Sequence, residues 1–192
     1  MDSKGFGRKE IRIVGVGGQG VVLSGHILGK AAAIFGHGFA AMTQSYGPEA
    51  RGGSCAADVV ISSEPIAYPY VTSPQVIILL TQEAYSKFAY NLPHSTLVII
   101  DPDAVTPDLK QNPKPLFIPA TRLAREMGRV VVANIIMLGF LCAVSDIVSS
   151  EVLRKSVLST VPKGTEEFNL KAFELGYRYG QEQGGRGDDA RS

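Results

Sequence analysis

Three glycines spaced Gly15-x-Gly17-x-x-Gly20 constrain this chain more than any other feature, because they separate a β-branched run, Ile11 to Val14, from the helix formers of Val22 to Phe35. Strand, tight turn and helix in that order make a phosphate-cradling βα unit. Each glycine has its own expected task. Gly15 permits the turn, Gly17 lets a ligand oxygen approach bare backbone, and Gly20 lets the helix close on the strand. Backbone N–H groups around Gly17, Gly18, Gln19 and Gly20, with the positive end of the helix dipole behind them, attract an anion. The plain alternative is that the turn only packs a helix against a sheet. One partner of a dinucleotide site is missing, since no acidic residue stands between Glu10 and Glu49. A ribose-holding Asp or Glu belongs about 20 residues past such a turn, so a free-standing nicotinamide reductase is disfavoured.

Downstream, Gly36-His37-Gly38 ends the first helix and Phe39 to Gln44 reads as a second strand. A loop rich in Gly and Pro follows from Ser45 to Gly53, and Cys55 to Ser62 resumes as a strand. That connection is too short for a parallel crossover, so the two strands pair antiparallel or lie apart. Gln75 to Thr81 and Thr96 to Asp101 are continuous apolar runs, as in strands covered on both faces. With a helix from Gln82 to Leu92 between them, they form a right-handed βαβ unit. Asp101-Pro102-Asp103 then turns at the sheet edge where α/β proteins place ligands. A proline-rich loop reaches to Pro115, Leu116 to Ile118 is a short strand, and Thr121 to Met127 is helical.

Val130 to Val144 is the longest apolar stretch, shorter than the ~20 residues of a membrane span, and reads as a buried helix carrying Asn134 and Gly139. Ser149 or Ser150 caps a helix from Glu151 to Val161, stopped by Pro162. A last helix, Thr165 to Glu182, turns Phe168, Ala172, Leu175 and Tyr179 to the core. The predicted architecture is α/β: a three-layer Rossmann-like fold with a mixed, mostly parallel sheet flanked by helices. It is a single domain over 11–183, after a flexible N-terminus (1–10) and before a disordered tail (184–192) in which Arg186-Gly187-Asp188 matches an adhesion tripeptide by chance.

Composition closes off several function classes. With 192 residues and 45% hydrophobic content the chain buries a full core, and a formal charge of +1 without a basic block gives no footprint for nucleic acid. Cys55 and Cys142 are far apart and outside any CxxC spacing, so neither a metal, a cluster nor a disulfide is implied. The short polar N-terminus is no secretory signal, which makes a cytoplasmic location, away from membranes, the default. His26 reads as a packed core histidine, Tyr46 as an interface or packing aromatic, and Asn134 as a structural hydrogen-bonding group. Arg51 has two accounts. It holds a carboxylate or phosphate through two parallel hydrogen bonds, or it pairs with Glu49.

Gly15-Val-Gly-Gly-Gln-Gly-Val21, Ser45-Tyr-Gly-Pro-Glu-Ala-Arg-Gly-Gly53 and Asn169-Leu-Lys-Ala-Phe-Glu-Leu-Gly176 together resemble the gamma subunit of 2-oxoacid:ferredoxin oxidoreductases. The likeness spans about Ile11 to Gly180, and the Gly-Pro-Glu-x-Arg-Gly-Gly loop is its most specific part. It implies one subunit of an enzyme that oxidatively decarboxylates a 2-oxoacid to an acyl-coenzyme A, with 2-oxoglutarate slightly favoured over pyruvate, branched 2-oxoacids and indolepyruvate. It also implies alpha and beta partner subunits, a ferredoxin-like delta subunit, and thiamine diphosphate and iron–sulfur clusters held elsewhere in the complex, with ferredoxin as acceptor. The chain carries no catalytic residue of its own in this reading. Its expected cofactor-binding residues are Gly15, Gly17, Gly18, Gln19, Gly20 and Arg51, touching coenzyme A, thiamine diphosphate or nothing. A scaffold without a ligand is the remaining alternative.

Overall fold

The computed structural model describes residues 7–48, 53–110 and 112–188. Two kinds of strand build its sheet. β4 (Val76–Leu79) and β5 (Leu97–Ile100) are apolar throughout and almost wholly buried, whereas β1 (Lys9–Val16), β2 (Phe39–Tyr46) and β3 (Ser54–Ser62) alternate more and lie toward the other side. With the short β6 (Leu116–Phe117) they form one six-stranded sheet in the order β2-β3-β1-β4-β5-β6. β1, β4, β5 and β6 pair in parallel, and β3 runs antiparallel to both β1 and β2. The sheet is therefore mixed and mostly parallel, as expected, and β2 and β3 take the antiparallel option.

The helices are α1 (Val21–Lys30), α2 (Gln82–Phe88), α3 (Ala120–Glu126), α4 (Ala133–Val144), α5 (Ser150–Leu158) and α6 (Glu166–Asp188). α1 passes into a wider π-helical turn over Ala31–Phe35, closed by Gly36 and Gly38, whose N–H groups donate to the carbonyls of Ala31 and Ala32. The Thr81 hydroxyl caps α2 by accepting from the Ala84 N–H at 3.2 Å, and Ser149 caps α5 through the Val152 N–H. On one sheet face Ile11, Ile13, Val59, Ile61 and Ile78 pack with α1, α4, α5 and α6. On the other, Val14, Ile77, Leu79, Val98 and Ile100 pack with α2 through Ala84 and Tyr85.

Several elements depart from expectation, each for a local reason. Lys9 already belongs to β1, and Glu10 is buried because its carboxylate accepts from Thr72 N–H at 2.7 Å and Ser73 N–H at 2.8 Å. The apolar stretch after Arg129 opens with a 3-10 turn, Val130–Val132, and Val130 and Val131 are exposed; only from Val132 on is it buried. The last helix continues past Glu182 to Asp188. Its buried seam is Asn169, Ala172, Phe173, Gly176 and Gly180, not the Phe168, Leu175 and Tyr179 stripe, which is only half buried. The seam turned because α4 and α6 approach backbone to backbone. A Cβ on Gly139 would collide with the Phe173 carbonyl, and one on Gly176 with the Ile136 carbonyl.

Candidate functional site

Parallel pairing brings the carboxyl ends of β1, β4 and β5 to one sheet edge, where open α/β sheets bind ligands. The chain leaves β1 through Gly17 to Gly20, leaves β4 at Leu80, and leaves β5 at Asp101. Between these three exits and the start of α4 lies a cleft of about 150 Å³, lined by Gly18, Gln19, Leu80, Asp101, Thr121, Asn134 and Met137, with Val130 and Val131 on its rim. That volume is below the ~300 Å³ at which small-molecule sites usually start.

Gln19 holds the turn together. Its carboxamide oxygen accepts from the Val16 N–H at 2.8 Å and its amide nitrogen donates to the Leu80 carbonyl at 3.3 Å, tying the β1 exit to the β4 exit. Gly15 contributes by lacking a side chain, since a Cβ there would run into the Gln19 carboxamide. It lies in the strand and does not make the turn, which is formed by Gly18 and Gly20 at φ 93° and 72°, a left-handed conformation that favours glycine. Gly20 also makes room for Asn134, whose side-chain nitrogen would lie 2.5 Å from an added Cβ and which donates to the Gly20 carbonyl at 3.5 Å. The expected structural hydrogen bond of Asn134 is thus found, and its partner is the glycine turn.

The Gly17 N–H is not free for a ligand. It donates to the Gly53 carbonyl at 3.0 Å, and Gly47 N–H donates to Ser54 at 2.7 Å. The first bond sets Gly53 beside the turn and the second closes the base of the loop between Gly47 and Ser54, so the described ends of two stretches that carry the family resemblance are neighbours in space. Glu49 and Arg51 lie outside the described residues. α1 starts at Gly20 without a side-chain cap, and the N–H groups of Gly20, Val21 and Val22 have no acceptor among the described residues. These are the donors an anion would meet.

Asp101, which the sequence placed at the ligand edge, is buried with both oxygens engaged. One accepts from the Asp103 N–H at 2.9 Å, the other from the Thr121 N–H at 2.8 Å in the first turn of α3. It is the formal charge among the cleft's lining residues. The α1 donors at Gly20, Val21 and Val22 lie outside that lining. Thr121, Leu80 and Met137 escaped the sequence reading. The signal for Leu80 and Thr121 was their place just after a strand end.

His26 is exposed on α1, contrary to its reading as a core histidine, because the buried stripe of that helix is Val21, Ser24, Gly25, Ile27 and Leu28. Tyr46 is 65% exposed at the end of β2. Cys55 is the second residue of β3 and Cys142 sits in α4, both buried, and burial pushes the Cys142 thiol up to about 11. Neither is a thiolate near neutral pH.

Comparison with known proteins agrees with the arrangement. The family model described as pyruvate ferredoxin/flavodoxin oxidoreductase matches residues 10–179. The 2-oxoglutarate synthase subunit KorC of Methanocaldococcus jannaschii is 47% identical over 91% of this chain and 95% of its own length. The pyruvate synthase subunit PorC of the same organism is 33% identical over 88% of this chain and 94% of its own. The crystal structure of a keto/oxoacid ferredoxin oxidoreductase gamma subunit from Geobacter sulfurreducens superposes with a TM-score of 0.81 at 38% identity, covering 90% of this chain and 96% of that one. The chain belongs to the pyruvate ferredoxin/flavodoxin oxidoreductase family, as a gamma-type subunit of a 2-oxoacid:ferredoxin oxidoreductase.

Proposed function

We propose that this chain is the gamma subunit of a cytoplasmic 2-oxoglutarate:ferredoxin oxidoreductase, which converts 2-oxoglutarate and coenzyme A to succinyl-coenzyme A and carbon dioxide while two electrons pass to ferredoxin. The choice of substrate rests on the stronger likeness to KorC, 47% identical, than to PorC, 33% identical. The alpha and beta subunits hold thiamine diphosphate, and a ferredoxin-like delta subunit carries iron–sulfur clusters. This division suits the present chain, whose two buried cysteines sit on separate elements and whose described residues hold no group of three metal-binding side chains. No helix of the described residues is long and apolar enough to cross a membrane.

The observation that carries the role of this subunit is the Gly17 N–H bond to the Gly53 carbonyl, which sets Gly53 beside the glycine turn that leads into the uncapped start of α1. The glycine turn, Gly15 through Gly20, and Arg51 together present an anion site at the subunit junction, for a phosphate of coenzyme A or of thiamine diphosphate. Gly17 shapes that site, the N–H groups from Gly20 onward donate, and Arg51 adds a guanidinium fork.

Purification of the native complex, with identification of its chains and ferredoxin reduction assayed with 2-oxoglutarate and pyruvate, tests the assignment. Coenzyme A-dependent turnover of pyruvate but not 2-oxoglutarate would replace the substrate. Arg51→Ala tests the anion site. Loss of a charge-assisted bond costs about 1.5 to 3 kcal/mol, so the Michaelis constant for coenzyme A, or the thiamine diphosphate requirement, rises roughly 10- to 150-fold. An Arg51→Ala complex that assembles normally with all Michaelis constants unchanged makes Arg51 structural.

A further inference from the structure

The cleft at the strand ends holds a hydrogen-bonding group that the fold itself does not use. Asn134 lines this cleft and is only 5% exposed. Its amide nitrogen donates to the Gly20 carbonyl at 3.5 Å, but that carbonyl already accepts from the Ser24 N–H and the Ser24 hydroxyl, each at 2.9 Å. The Asn134 carboxamide oxygen has no donor among the described residues. An acceptor on so buried a side chain is normally satisfied, which marks this one as a place for a ligand's N–H. No described Lys, Arg or His lines the cleft, and its charge is that of Asp101, so the lining suits a neutral donor better than a phosphate. Leu80, Ala120 and Met137 give it apolar walls, and Val130 and Val131 on the rim are 50% and 72% exposed. An apolar cavity of about 150 Å³ takes up a benzene-sized ring.

We propose that this cleft is the subsite for a neutral six-membered aromatic ring bearing an exocyclic amino group, which donates to Asn134 Oδ1 while the ring lies among Leu80, Met137 and the rim valines. The inference rests on the anion site proposed above, because both ligands named for it carry such a ring joined to their phosphates: the adenine of coenzyme A and the aminopyrimidine of thiamine diphosphate. In both, a ring nitrogen beside the amino group is a further acceptor. Gly18, whose N–H has no acceptor among the described residues, also lines the cleft and is a donor for that nitrogen. One glycine turn thus serves both parts of the ligand, Gly18 at the ring subsite and Gly20 at the anion donors.

The test uses the reconstituted complex, built with wild-type or Asn134→Ala chains and checked for assembly by size exclusion. Kinetics compare coenzyme A with an analogue in which hypoxanthine replaces adenine. Displacement binding compares thiamine diphosphate with an analogue in which oxygen replaces the amino group. For one of the two pairs, wild type prefers the amino form by about five-fold or more, and Asn134→Ala reduces that preference below about two-fold. The pair affected identifies the ring. A packing defect weakens both members of a pair alike, so the ratio isolates the hydrogen bond. Asn134→Leu, of similar shape but without an acceptor, gives the same readings if Asn134→Ala does not assemble. Ratios for both pairs that stay at their wild-type values overturn the inference. If Arg51→Ala raises a Michaelis constant while the Asn134 variants change neither ratio, the anion site stands and the ring subsite falls.

Discussion

Gln19 shows how one side chain can decide the geometry of a site. It closes the turn with one hydrogen bond to Val16 and reaches Leu80 with another, and each such bond is worth about 0.5–1.5 kcal/mol net. Gln19→Ala should therefore lower stability by about 1–3 kcal/mol, measured by urea denaturation. Gln19→Glu should lose at least as much at neutral pH, because a carboxylate then faces the Leu80 carbonyl; equal stability of Gln19→Glu and wild type would show that the Leu80 contact does not form. Glu10 makes a second residue-scale case, governed by pH. Burial pushes its carboxyl up, but hydrogen bonds from Ser73, Arg8 and Thr72 together outweigh burial and hold it below the ordinary 4.5. A carboxyl lowered in the folded state stabilises above its unfolded value and loses that contribution as pH falls through its folded value. Glu10→Gln should thus be less stable than wild type at pH 7, with the difference shrinking once pH drops below about 4.5. A difference that stays constant from neutral pH to about pH 3 would show that ionisation is not the cause.

At the scale of elements, α4 and α6 approach backbone to backbone, and glycines along the seam make this possible. Side chains at Gly139 or Gly176 would meet the backbone carbonyls of Phe173 or Ile136, which cannot swing aside as a flexible side chain can. Overpacking of this kind costs typically 1–3 kcal/mol and occasionally more. Gly139→Ala should therefore lower the melting temperature by roughly 2–12 °C for a chain of this size. Gly128→Ala is the control, because its φ of 89° carries strain while nothing lies within 4 Å of an added Cβ. If calorimetry shows Gly139→Ala melting no lower than Gly128→Ala, the helices are not in backbone contact. The same packing explains why, of the expected α6 face, Ala172 is fully buried while Phe168, Leu175 and Tyr179 pack against the core only partly buried. The sequence shows large residues at helical spacing, but where two helices touch along glycines the seam is set by what is missing.

For the whole molecule, the position of β3 governs what the glycine turn can bind. In a dinucleotide-binding sheet a parallel strand beside β1 carries the ribose-holding acid. Here antiparallel β3 occupies that place, and Gln44 and Ser45 lie one strand further out, paired with Ala57 and Ala56. NAD and NADP should therefore bind weakly; calorimetric titration giving a dissociation constant below ~10 μM, about −7 kcal/mol, would restore the reductase reading. The loop that β2 and β3 support should instead serve assembly. Amides from Tyr46 to Gly53 are expected to exchange hydrogen more slowly in the assembled oxidoreductase than in the free chain. Equal rates in the two states would place the loop away from the subunit contact.

The sequence by itself determined the element order, the α/β class, the βαβ unit and the family, because hydrophobic period, turn residues and motif spacing are local properties. Ile11 to Val21 and the Gly-Pro-Glu-x-Arg-Gly-Gly loop were both recognisable as motifs, and the short connection between Gln44 and Cys55 excluded a parallel crossover but left open an antiparallel pair or strands apart. Tertiary structure alone decided that Gly17 bonds to Gly53 and that Gly20 makes room for Asn134. Gln19 reaching Leu80 and His26 facing outward are decisions of the same kind. Each depends on which element lands beside another in the completed sheet and helical layer, and no periodicity along the chain encodes a contact between residues tens or a hundred positions apart.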